Sequence, residues 1–171
     1  MDAIRESEPT AVNNRTTVER TSEREVVVTR TFYGPARIVF EAWTKPELIK
    51  RWWVPKSFGL TLLSYEADFR VGGRYRLEFS YEGSKSAFFG TYKEVTPHSR
   101  LVWTNEESED GAITTVTFEE KDGKTLLVMH ELYPSKEALD AAGTGAADAM
   151  VETFAQLDEL LVTLGASVGR S

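Results

Sequence analysis

The sequence predicts an α+β domain: a curved, mainly antiparallel sheet of seven strands wrapped around one long C-terminal helix, with two short helices after the first strand. Three observations carry this. A β-branched strand, TRTFY, runs into a Pro-started amphipathic helix and then a second helical segment ending in paired tryptophans. Beyond Leu60 the hydrophobic period changes to two, in six runs separated by turn residues. From about Ala146 an apolar stripe at helical spacing closes the chain.

The elements follow in order. Residues 1–22 are rich in Thr, Glu, Arg and Asn and hold too few apolar side chains to bury anything, so they read as a flexible polar tail before a single domain over 23–166, with 167–171 as a C-terminal tail. EVVVTRTF, from Glu25, suits a strand. Pro35 is tolerated where a helix begins, because its missing donor has no helical partner there. Ala36, Val39, Phe40 and Trp43 then share one face. Thr44-Lys45-Pro46-Glu47 fits a capping box for the second helix, which carries Ile49, Trp52 and Trp53 and stops at Pro55.

TLLSYEAD, RYRLEFSY, SAFFGTYKEV, RLVWTN, AITTVTFEE and KTLLVMHEL are the remaining strands. Gly72-Gly73, Glu82-Gly83, Pro97-His98, Asp110-Gly111 and Asp122-Gly123 mark turns between them, the last a two-residue hairpin signal. In RYRLEFSY, Tyr75, Leu77, Phe79 and Tyr81 share a face, opposite Arg74, Arg76, Glu78 and Ser80. SKEALDAA forms a short helical piece. In the final helix Met150, Phe154, Leu157, Leu161 and Leu164 recur on one side, and Gly165 is a natural cap.

Bulk properties narrow the function classes. A length of 171 residues suits one domain with a sizeable core. The net charge of −7 and the lack of a Lys/Arg cluster argue against a nucleic-acid partner. Without cysteine there are no disulfides, thiolate metal sites or cysteine nucleophiles. The N-terminus is not a signal peptide and no apolar run reaches membrane-spanning length, so a cytoplasmic protein with no membrane insertion is expected.

Catalytic and cofactor motifs are sparse. There is no G-x-S-x-G and no H-E-x-x-H, and the two histidines, His98 and His130, lie on different elements. Gly123-Lys124-Thr125 resembles the end of a P-loop, but Phe118 stands where the first glycine belongs, so it reads as a hairpin turn. Gly143-x-Gly145 lacks the third glycine of a dinucleotide loop. No cofactor, no metal and no catalytic residue is expected.

The geometry implied by these elements leaves a gap. A strongly curved sheet cannot press its whole concave face on one helix, so large side chains fill the space or line a pocket for a small ligand. Candidate contacts are Trp43, Trp52, Trp53, Tyr75, Phe79, Trp103, Met150 and Phe154. Arg30 shares parity with Val26, Val28 and Phe32, so it either grips an acidic group of a ligand or pairs with a carboxylate of the protein. His130 shares parity with Leu126 and Val128 and is the second polar candidate, but the Leu127, Met129 parity is equally apolar and leaves its direction open.

TRTFYGPARIVFEAWTKPELIKRWWVP, DFRVGGRYR, FGTYKEVTPHSRLVWT, VTFEE and FAQLDELL together resemble the Aha-type family, named for the activator of the heat-shock-protein-ninety ATPase, within the START-like, polyketide cyclase (SRPBCC) superfamily. The resemblance spans about Val26 to Leu164 and implies a helix-grip fold with a cavity between sheet and helix. Two departures stand out. Many relatives carry Gly-Trp near the start of the last helix where this chain has Ala149-Met150, and the eukaryotic activator has a separate N-terminal domain that residues 1–22 are too short to supply. Family membership says little about function by itself. The sequence therefore points first to binding of a small hydrophobic molecule in an internal cavity. The alternatives are a stress- or chaperone-associated regulator of heat-shock-protein-ninety type acting by protein contact, and a cyclase- or hydrolase-like enzyme. A chaperone, or a second copy of the chain as a homodimer, is the macromolecular partner these readings allow.

Overall fold

A computed structural model describes residues 16–106, 109, 111–143 and 145–164. Its elements run β1 (Thr17–Arg20), β2 (Glu25–Tyr33), α1 (Ala36–Thr44), α2 (Pro46–Ile49), a 3-10 turn (Lys56–Phe58), β3 (Thr61–Ala67), β4 (Arg74–Tyr81), β5 (Ser84–Thr96), β6 (Arg100–Thr104), β7 (Ile113–Lys121), β8 (Lys124–Leu132), α3 (Lys136–Ala142) and α4 (Gly145–Thr163). One sheet takes the order β1-β2-β8-β7-β6-β5-β4-β3, with neighbours antiparallel. The chain thus folds as α+β with a C-terminal helix, and α1 and α2 carry it from β2 to the far edge.

The sheet has eight strands rather than the seven expected. The additional one lies inside the segment read as a tail: Thr17–Arg20 pairs with β2, Val18 opposite Val28. An edge strand with one face in water needs no apolar run, and a lone Val18 among polar residues gave no period to detect. The rest of the expected tails, residues 1–15 and 167–171, and the expected cap Gly165 lie outside the described residues.

The helical crossover also differs in detail. Lys45 is extended, as a residue preceding proline tends to be, and this separates α1 from α2. No capping box forms: the Thr44 hydroxyl donates back to the Phe40 carbonyl at 2.9 Å. The α1 start is capped from the sheet instead, where the Ala36 N–H donates to Glu120 Oε1 at 2.9 Å. α2 is a single turn, and Trp52 and Trp53 follow it in turn geometry, both amides bonding to the Ile49 carbonyl.

β5 bends the sheet. It pairs with β4 as far as Thr91 and with β6 from Tyr92 onward, with a register shift between Tyr92 and Glu94. At the bend a Cβ on Gly90 would sit 1.9 Å from the Thr104 carbonyl oxygen, so only glycine permits this approach of backbones. The concave face carries the core: Val26, Val28 and Phe32 of β2, Leu127 of β8 and Val116 of β7 meet Phe154, Leu157 and Leu161 of α4, with Val39 and Trp43 of α1 alongside. Each such fully buried side chain stabilises the fold by roughly 1.5–3 kcal/mol before the entropy of ordering it is subtracted.

Candidate functional site

Toward β3–β6 the sheet curves away from α4, and the space between is a hollow of about 600 Å³. Large rings wall the sheet side: Tyr65, Tyr75, Tyr92 and Trp103, with Trp43 and Trp53 from the helical crossover. The helical side carries small residues, Ala138, Ala141 and Ala142 of α3 and Ala149 of α4, beside Met150. Methyl groups there cannot reach across to the rings, which is why the space stays open. Phe58 and Phe88 also line it and are about half exposed, which places its mouth near them.

The helix positions the wall that holds Trp53. Gln156 of α4 is buried and donates to the carbonyls of Trp52 and Val54, each at 2.9 Å, while its Oε1 accepts from the Lys56 N–H at 2.9 Å. One residue farther out, the Ser57 hydroxyl and N–H both donate to Glu152, the latter at 2.8 Å. Segment 52–57 is therefore strapped to the helix by side-chain amide and carboxylate.

A polar chain crosses one end of the hollow. The Tyr75 hydroxyl donates to the Thr104 carbonyl at 2.8 Å. Asn105 Nδ2 donates to the Ala112 carbonyl at 2.7 Å and reaches Thr114 Oγ1 at 3.0 Å. Thr114 and Tyr133 lie 3.5 Å and 3.4 Å from the two carboxyl oxygens of Glu131. Burial raises the Glu131 carboxyl above the usual range, against the lowering pull of its bonds to Tyr133 and Thr114 and of nearby His130. Burial likewise pushes the phenols of Tyr65 and Tyr133 up to about 12, and Tyr92 upward too, with Tyr65 adding to that shift, so all three are neutral hydrogen-bonding groups at physiological pH.

Among the residues expected from sequence, Trp43, Trp53, Tyr75, Trp103 and Met150 line the hollow. Five others lie elsewhere. Trp52 is fully buried behind Trp43, 4.9 Å between ring centroids, with its Nε1 donating to the Ala42 carbonyl at 2.9 Å. Phe154 packs edge-on against Phe32 at 5.5 Å in the closed part of the core. Phe79 packs against Phe88, ring centroids 5.0 Å apart, and does not itself line the hollow.

Arg30 points to the concave face, but both of its terminal nitrogens are bonded within the protein, while its buried Nε has no partner. Its Nη1 donates to Thr16 Oγ1 at 2.9 Å, its Nη2 bonds Asp158 of α4, and the guanidinium lies over the Phe32 ring. It is committed to joining β1, β2 and α4, away from the hollow. His130 faces outward. Burial along β8 selects Thr125, Leu127 and Met129, and this turns His130 to the convex surface, where its Nε2 meets the Glu25 carboxylate at 2.7 Å.

Glu131, Tyr133, Asn105, Tyr65 and Tyr92 are the lining residues that sequence reasoning missed. Glu131 continues the parity of Leu127 and Met129, but both faces of β8 are apolar, so alternation alone could not choose between it and His130. Among the described residues no group of His, Cys, Asp or Glu could hold a metal ion. Nor is any described helix long and apolar enough to cross a membrane.

The family model described as "Activator of Hsp90 ATPase homolog 1-like protein" matches residues 34–162. Among solved structures, a protein from Rhodobacter sphaeroides is 24% identical with a TM-score of 0.79, the alignment covering 87% of this chain and 99% of that one. A protein from Nitrosomonas europaea is also 24% identical, with a TM-score of 0.76 over 86% of this chain and 99% of that one. A Staphylococcus epidermidis protein reaches 26% identity and a TM-score of 0.70 over 86% and 94%. No curated protein shows a significant match to the chain.

Proposed function

This chain belongs to the family of Activator of Hsp90 ATPase homolog 1-like proteins, and from that premise we propose that it acts without catalysis, as a carrier or sensor holding one small apolar molecule between the sheet and the last helix. The observation that carries this is the aromatic-walled hollow of about 600 Å³, a size at which pockets take small ligands. An apolar guest gains roughly 25 cal/mol for each Å² removed from water, and the rings of Trp43, Trp53 and Trp103 present that surface already in place. Because the segment bearing Trp53 is fixed by Gln156 and Glu152, little ordering free energy is lost on binding.

Native mass spectrometry of gently purified protein, followed by tryptophan fluorescence titration with apolar aromatics and lipids, tests this. Bound species and saturable quenching are expected, both lost in an Ala149→Phe variant that fills the hollow. Quenching that survives in that variant, or no bound species under any challenge, rejects the reading. The family description also supports a second reading, contact with a chaperone through the surface, where Leu63, Val71 and Tyr81 are exposed outside the hollow. A pull-down with Hsp90 as bait that yields no salt-stable complex disposes of it.

A further inference from the structure

The polar groups around the hollow are unequal in sign. Its lining contains no Lys, Arg or His among the described residues, and Glu131 is the charged group present. The donors near Glu131 are already engaged: Asn105 with Ala112 and Thr114, the Tyr75 hydroxyl with Thr104, and the Tyr133 hydroxyl with Glu131 itself. The two basic side chains picked out from sequence are also committed, Arg30 to Asp158 and His130 to Glu25 on the outer face. The wall thus offers a guest acceptor capacity on a carboxylate and the electron-rich faces of three indoles and several phenols, with the unpartnered Nε1–H of Trp43 as a neutral donor.

A carboxylate has about four lone-pair directions shared across its two oxygens, and Thr114 at 3.5 Å and Tyr133 at 3.4 Å take two of them, which leaves the others to a guest. A ligand anion brought there meets like charge in a desolvated space and finds no cationic side chain among the described lining residues to hold it. A ligand ammonium meets a carboxylate and ring faces that attract cations. Resting on the pocket reading above, we propose that this site selects apolar molecules bearing a protonated amine, with Glu131 as the specificity-determining acceptor, and rejects apolar carboxylates. Burial destabilises the ionised Glu131 in the free protein, so a cation that restores it gains selectivity which a neutral guest does not.

Three probes sharing one ring system separate the terms: 2-(1-naphthyl)ethylamine, 2-(1-naphthyl)ethanol and 1-naphthylacetic acid, titrated calorimetrically into the full chain at pH 7. The amine is expected to bind about tenfold or more tighter than the alcohol, and the acid more weakly than the alcohol. Glu131→Gln, close in shape, should bring the amine down to the alcohol while the alcohol changes less than about twofold. The ranking in the unaltered protein stands by itself if that variant does not fold. An amine no tighter than the alcohol, or an acid that binds best, overturns the selectivity and leaves the apolar pocket standing. Affinities of all three that are unchanged by Ala149→Phe place the binding outside the hollow, and the pocket reading falls first.

Discussion

Replacing Gln156 by Met keeps the volume of the side chain and removes its amide, so it isolates the strap between α4 and segment 52–57. Three hydrogen bonds disappear, to the carbonyls of Trp52 and Val54 and from the N–H of Lys56. The consequences differ by position. Trp52 is fully buried, so its carbonyl is left without a partner, at a cost of about 1–3 kcal/mol. Val54 is half-buried and Lys56 is exposed, so water recovers part of the loss at the first and most of it at the second, leaving about 1 kcal/mol between them. The expected destabilisation is about 2–4 kcal/mol, or a fall in Tm of about 5–15 °C for a chain of this length. Calorimetry gives the stability, and the emission maximum of the tryptophans tells whether Trp52 and Trp53 have moved toward water. A melting point within about 2 °C of the parent protein would refute the claim that Gln156 holds this segment.

Other expectations concern the bend, the buried ion pair and the acid in the hollow. Gly90→Ala drives a methyl into the Thr104 carbonyl, and backbone on both sides leaves it nowhere to go; a loss on the order of 3 kcal/mol or more should appear as a lower denaturation midpoint. Arg30→Ala strands Asp158, which is partly exposed, so a loss of about 2–4 kcal/mol is expected, and Arg30→Met with Asp158→Leu should recover much of it in a double-mutant cycle. For Glu131, burial raises the folded-state pKa above the unfolded one, so the associated stability is present at low pH and is lost as pH rises through the folded value. Relative to the parent, Glu131→Gln should therefore gain stability between acid and neutral pH in urea titrations; a difference independent of pH would contradict the burial of that carboxyl.

The architecture was largely legible because its signals are local and repeated. β4 and β8 begin and end where alternation in RYRLEFSY and KTLLVMHEL places them, and the stripe from Met150 to Leu161 does turn inward. The site was only half legible. Trp43 and Trp103 were found because large aromatics on a concave face must meet any space there. Trp52 and Phe154 have the same composition signal, yet they fall where sheet and helix touch; the line between closed core and hollow depends on curvature centred at Gly90, which no single side chain announces. The choice between His130 and Glu131 turned on strand facing, and β8 is apolar on both sides because β2 and β7 flank it and the convex side still buries Val128 partly. Gln156 escaped notice since a polar residue inside an amphipathic helix reads as part of the solvent face unless its partners are known.

The pairing of β2 with β8, one strand in from the β1 edge of the sheet, sets the order in which the polypeptide can mature. β1 covers one edge of β2 early, but Glu25 pairs with Leu132, so the other edge of this long strand has no partner until β8 has been synthesised. The β3–β7 meander can zip up by local hairpins as it emerges, while β2 must wait, its inner residues Val28 and Phe32 bare, for β8 and then α4. Nascent chains stalled before residue 124 should accordingly be the aggregation-prone species in the life of this protein, and the emergence of β8 its decisive folding event.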